Sequence, residues 1–197
     1  MDRLPLTLAI TGHDTANYYD TAIALKANWN KATWLKQLPA NLKKYFDGQL
    51  QLAGDLSLYQ HHAGGFSYQL LIDSPLEQLQ LNLPAPYKKM ANSTVPLNVE
   101  INGQLEQSTF KASYGEQLSF YGVLAHDTSH FSRAHIVLGD EKMLLPMNGF
   151  HITTNLAQAS ADVWQPLIAD IIETVSGDKE AASVKNESHS LPLFFAP

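Results

Sequence analysis

The sequence predicts a mainly β fold: a long antiparallel meander sheet with two helical segments, at about 31–46 and 160–175. Three observations carry this. Apolar residues alternate with polar ones in many separate stretches, turn residues recur between those stretches, and helical spacing is confined to two places.

The alternation runs through Leu4, Leu6, Leu8 and Ile10, then through Ile23, Leu25, Ala27 and Trp29. It continues in Leu50, Leu52, Gly54, Leu56 and Leu58, and in Leu79, Leu81 and Leu83. Val95, Leu97, Val99 and Ile101 form the cleanest run, separated by Pro96, Asn98 and Glu100. Phe110, Ala112 and Tyr114, then Leu118 and Phe120, then Ala134, Ile136 and Leu138 complete the set. Successive side chains of a strand point to opposite faces, so each stretch has one apolar and one polar side. Buried parallel strands would read apolar throughout, so an antiparallel arrangement is expected.

Turn chemistry agrees. Asn102-Gly103 lies between two alternating runs and is a strong hairpin signal. Gly64-Gly65, Asp73-Ser74-Pro75, Tyr114-Gly115 and Gly139-Asp140 punctuate the remainder. In the first helical stretch Trp34, Leu35, Leu38, Leu42, Tyr45 and Phe46 have helical spacing, and Pro39 divides it into two short helices. In the second, Val163, Trp164, Leu167, Ile168, Ile171, Ile172 and Val175 make one stripe, with Ser160 as N-cap and Gly177 as the stop.

Composition excludes several classes. The net charge is -6 and Lys and Arg gather nowhere, which argues against nucleic acid as a partner. The chain has no cysteine, so disulfides, thiolate zinc sites and a cysteine nucleophile are ruled out. No apolar run reaches transmembrane length, and the start MDRLPLTLAITGHD lacks a signal-peptide pattern. Either the protein is cytosolic or the chain is an interior piece whose targeting signal lies elsewhere.

Catalytic and metal signatures are weak. His126 and His130 have an i, i+4 spacing, but AHDTSHFSRAH has loop and strand composition, and His61 and His62 would diverge on an extended chain. These histidines read as solvated loop residues, so no metal and no cofactor is expected. There is no G-x-S-x-G elbow and no phosphate-binding glycine loop. Asp47, Asp55, Asp73, Glu100 and Glu106 fall at turns or on polar strand faces. Trp29, Trp34, Trp164, Phe66, Tyr68, Phe110, Phe120 and Phe131 read first as filling between sheet and helices, and second as a platform for sugar or lipid.

The stretches TWLKQLPANLKKYFDGQLQLAGDLSLY, GGFSYQLLIDSPLEQLQLNLPAPYKK and VPLNVEINGQ resemble the YhdP branch of the AsmA-like envelope proteins of Gram-negative bacteria. The turn Leu83-Pro-Ala-Pro-Tyr-Lys88 after an alternating strand, and the run from Val95 to Gln104, carry the likeness most. It covers about residues 20–175. Family members have an N-terminal membrane anchor, so the chain is expected to be an internal fragment. The resemblance implies a periplasmic location within an inner-membrane-anchored protein, and a sheet curled into a hydrophobic groove. It implies a non-enzymatic role in moving phospholipid between inner and outer membranes, with acyl chains as the ligand.

On this reading the groove is lined by Leu52, Leu56, Leu58, Leu79, Leu81, Val95, Leu97, Val99, Ile101, Leu118, Phe120, Ile136 and Leu138. A closed core would produce the same positions, and a structural or binding β-sandwich module of the envelope is the alternative. Residues 1–176 are expected to form the groove segment, and 177–197 a polar linker and the start of a further strand.

Overall fold

A computed structural model describes residues 4–139, 148–155 and 161–176. The linker and further strand expected over 177–197 lie outside the described residues. Eleven strands are present among the described residues: β1 (Thr7–Asp14), β2 (Tyr18–Trp29), β3 (Phe46–Gly48), β4 (Leu50–His61), β5 (Phe66–Ser74), β6 (Leu79–Leu81), β7 (Leu97–Gln104), β8 (Gln107–Tyr114), β9 (Leu118–Ala125), β10 (His130–Gly139) and β11 (Gly149–Asn155). Two α-helices join them, α1 (Lys31–Trp34) and α2 (Ala161–Ser176).

The expected long sheet forms. Nine strands pair in the order β1-β2-β4-β5-β7-β8-β9-β10-β11, and β3 and β6 make a separate pair. The sheet stays open, with β1 and β11 as its two edges. Every pair in it is antiparallel except the last, where β11 runs parallel to β10. A parallel pair cannot be joined by a tight two-residue hairpin.

The two ends of the strands differ. At one end β1–β2, β4–β5, β7–β8 and β9–β10 are joined by tight hairpins. At the other, residues 30–49 and 75–96 form long connections that fold into a cap. The expected first helical segment shortens there to α1 and two single 3₁₀ turns, Leu35–Gln37 and Lys43–Tyr45, broken around Pro39. Asn30 caps α1, its Oδ1 accepting from the Thr33 N–H at 3.0 Å.

The closed core of the molecule is in this cap. Trp34, Leu76, Leu79 and Leu81 are buried together, with Leu38, Phe46, Leu83 and others packed on them. Trp29, Leu50, Leu97 and Tyr114, from the ends of β2, β4, β7 and β8, also pack on this cluster. The cap therefore sits on one face of the long sheet, at one end of its strands.

Helix α2 docks on the cap. Its Trp164 meets Tyr87 edge-on with ring centroids 5.5 Å apart, and Leu167 is buried. Asp170 takes a hydrogen bond from the Tyr45 hydroxyl at 2.5 Å and an ion pair with Lys44 at 2.7 Å. The expected single apolar stripe is divided: Val163, Ile168 and Ile171 remain exposed to water.

Candidate functional site: an uncovered apolar face

Residues directly opposite each other on neighbouring strands share a face, so the register lays out the sheet surface row by row. One row reads Ile10, Ile23, Leu56, Leu70, Ile101, Phe110, Gly122, Ala134 and Phe150 from β1 to β11. The next, toward the cap, reads Leu8, Leu25, Gly54, Ile72, Val99, Ala112, Phe120, Ile136 and Ile152. No polar side chain interrupts either. Eight spacings of about 4.8 Å carry these rows about 38 Å across the strands.

The face is not sealed. Among its residues Leu8 is 52% exposed, Ile10 63% and Phe150 61%. Leu56, Leu70, Val99, Ile101, Phe110, Phe120 and Ile136 are half-buried. Monomeric soluble proteins rarely leave contiguous apolar patches beyond a few hundred Å² without a use for them.

The opposite face is polar over most of its width. One row there runs Lys26, Ala53, Asp73, Asn98, Ser113 and Ser119. Glu100 and Lys111 pair across β7 and β8 at 3.5 Å, and the Asn102 amide donates to Glu100 at 2.7 Å. That amide, with the lysine behind it, holds the Glu100 carboxyl below its ordinary range. Toward β9 and β10 this face departs from the expected wet exterior, since Val123, His135 and Val137 are buried.

Three glycines in the apolar face shape its floor. A Cβ on Gly54 would stand 2.9 Å from Leu25 Cδ1, one on Gly103 2.0 Å from the Tyr68 ring, and one on Gly122 2.7 Å from the Phe131 ring. Side chains from neighbouring strands lie down over these gaps. Phe131 meets Phe110 at 5.5 Å and Phe120 at 5.8 Å, both edge-on.

Phe131 reaches this face through a bulge. Leu124 opposes Phe131 and Val123 opposes Arg133, so Ser132 is the extra residue. Without it, the alternation of Ala134, Ile136 and Leu138 would send Phe131 to the polar side. Sequence alternation alone missed this, and the aromatic next to a serine carries no signal for it.

Of the thirteen positions expected from sequence, ten stand on this face. Leu56, Ile101, Val99, Phe120 and Ile136 occupy the two central rows. Leu52, Leu97, Leu118 and Leu138 lie on the cap side, opposite Ala27, Tyr114, Tyr114 and Leu118 respectively. Leu58 lies on the hairpin side, opposite Tyr68. The other three belong to the cap. Leu79 and Leu81 are buried in β6, 3% and 4% exposed, and Val95 precedes β7, its N–H bonded to the Pro75 carbonyl. Alternation could not separate these because a cap strand and a trough strand share period two.

The hairpin-side row also holds a hydrogen-bonded chain. Tyr68 and Ser108 share a hydrogen bond of 2.6 Å, Ser108 and His126 Nε2 one of 2.7 Å, and His126 Nδ1 stands 3.0 Å from the Leu105 carbonyl. His126 is thus tied into the sheet, whereas the sequence suggested a solvated loop residue. The Ser108–His126 contact has a carbonyl, not a carboxylate, behind the imidazole, and Ser108 is 1% exposed beneath Tyr68. Among the described residues no three His, Asp or Glu side chains approach closely enough to hold a metal ion.

Such a molecule falls in the class of open β-sheet scaffolds with an apolar trough on one face and a cap along one rim. The family model described as YhdP protein matches residues 2–195, and the chain belongs to that family. It is similar to the intermembrane phospholipid transporter YhdP of Escherichia coli (strain K12), at 23% identity over 116 residues. That match takes in 59% of this chain and 9% of the relative, so the chain spans only a small part of the relative's length. No solved structure matches. No helix among the described residues is long and apolar enough to cross a membrane.

Proposed function

We propose that this chain is a non-catalytic segment of a periplasmic lipid conduit, part of an inner-membrane-anchored protein, and that its trough shields phospholipid acyl chains passing between inner and outer membranes. The observation that carries this reading is the pair of uninterrupted apolar rows crossing all nine strands with no cover among the described residues. Similarity to a phospholipid transporter supports it.

The physical need is large. An acyl chain of roughly 15 methylenes exposed to water costs about 12 kcal/mol, at about 0.8 kcal/mol for each CH₂. A trough of aliphatic and aromatic side chains removes most of that cost along its length and holds no single point tightly, so a lipid can both enter and leave. The polar outer face keeps the scaffold wet. The lining comprises the ten positions on the trough face; Leu79, Leu81 and Val95 serve the cap.

The test is binding of a glycerophospholipid with a fluorescent acyl chain to the full-length protein. Val99→Glu places a charge on the path and is expected to weaken binding about tenfold or more. Leu71→Glu, on the other face of the neighbouring strand β5, is the control and should bind as wild type. Equal binding by both variants, each folded, would favour a structural module over a conduit.

A further inference from the structure

The trough has two unlike rims. The cap rim is closed, and three of its polar groups are already engaged. The Trp34 indole N–H donates to the Gly48 carbonyl, the Tyr87 hydroxyl to the Gln117 carbonyl, and the Lys89 ammonium to the carbonyl of Leu79. A charged group placed against these three would lose water and find them already bonded.

The hairpin rim is low and open. Tyr19 and Phe66 stand on the trough face in the outermost row, 45% and 44% exposed. The Tyr19 hydroxyl lies over Gly12, where a Cβ would stand only 2.4 Å from it. Phe66 stacks beside Tyr68 at 6.4 Å, and Tyr68 leads into Ser108 and His126. Moving outward from the central rows, the surface passes from pure hydrocarbon to the rings of Tyr68, Tyr19 and Phe66, with Asp14 opposite Tyr19 in the outermost row. Tyrosine favours such a boundary because one end is apolar and the other hydrogen-bonds.

We infer that a glycerophospholipid in this trough lies with its acyl chains on the two central rows and its glycerol esters and headgroup at the hairpin rim, beside Tyr19, Phe66 and Tyr68. This rests on the lipid reading above and adds the orientation of the molecule within it. The cap then acts as the back wall, and headgroups travel in water along the hairpin side.

The experiment uses the full-length protein and two phosphatidylethanolamine probes, one with a photoreactive diazirine in mid-chain and one with it on the headgroup, with adducts mapped by mass spectrometry. The mid-chain probe is expected to mark the Val99 and Phe110 rows, and the headgroup probe to mark Tyr19, Phe66 and Tyr68 several-fold more than Pro84–Met90 of the cap. Headgroup adducts on the cap, or equally on both rims, overturn the orientation while leaving the conduit standing. Absence of mid-chain adducts anywhere on the trough face overturns the lipid reading and the orientation with it.

Discussion

Tyr68 on β5 and Ser108 on β8 meet hydroxyl to hydroxyl at 2.6 Å although β7 runs between them. The contact exists because Gly103 of β7 leaves its place empty, and the Tyr68 ring fills it. Strands two apart are separated by about 9.6 Å, so only a side chain lying flat over a glycine closes the gap. Gly103→Ala should lift the ring, break the chain to His126 and destabilise by about 1–3 kcal/mol. In a Tyr68→Ala background the same substitution should cost clearly less, which a double-mutant cycle by urea denaturation reads directly.

Asp170 fastens α2 to the cap. Its carboxyl is held below the ordinary aspartate range by the hydrogen bond from Lys44 first and that from Tyr45 second. A carboxyl with a depressed folded pKa adds stability that is present above its unfolded value and lost as pH falls through the folded one. Burial and the neighbouring carboxylate push the Tyr45 hydroxyl upward, so it keeps the proton it donates to Asp170 until well on the alkaline side. The hydrogen-exchange protection of α2 amides, corrected for the intrinsic pH dependence of exchange, should fall as the pH drops below about 4. Asp170→Asn should exchange fast at neutral pH and lose that acid dependence.

Lys89 is 2% exposed, its ammonium donating to the carbonyls of Leu79 at 2.6 Å, Met90 at 3.2 Å and Glu77 at 3.4 Å. Burial pulls its pKa down from the usual lysine value, opposed by Glu77. Since the unfolded chain then holds the proton more tightly, stability rises with pH between the folded and unfolded values. Lys89→Met keeps the volume but strands the carbonyls, and should cost about 1–3 kcal/mol at neutral pH by thermal or urea unfolding.

The β1 edge is long and regular, with Leu8 and Ile10 exposed on its trough side, no proline within Thr7–Asp14, and its trough-side charge, Asp14, confined to the hairpin end. Such an edge invites another strand. This chain studied by itself should self-associate with rising concentration, and Ile10→Lys should shift it toward monomer in light scattering after gel filtration.

Much of the fold could be read from side-chain alternation, because a sheet with one wet and one dry face imposes period two on every strand. Turn signals such as Gly64-Gly65 marked hairpins, but Asn102-Gly103 did not: both residues are paired inside β7, and the turn falls two residues later at Leu105-Glu106. Alternation failed where a residue's face depends on an insertion or on distant packing. The Ser132 bulge that re-aims Phe131 has no local signature. Leu79 and Leu81 alternate like trough residues, yet they pair with β3 inside the cap, a partnership set by tertiary contacts with Trp34 and Leu76. The stripe of α2 marked a helix correctly but not how much of it the cap would cover. His126 stands in the β9–β10 turn as read, but its tie to the sheet went unseen because its partners Ser108 and Leu105 lie on another hairpin.

The most direct measurement is native mass spectrometry of the full-length protein purified from membranes, beside its Val99→Glu variant, with circular dichroism confirming that both are folded. The account predicts phospholipid bound to the wild type and largely lost from the variant. A folded wild type that carries no phospholipid, or a variant that carries as much, would contradict it.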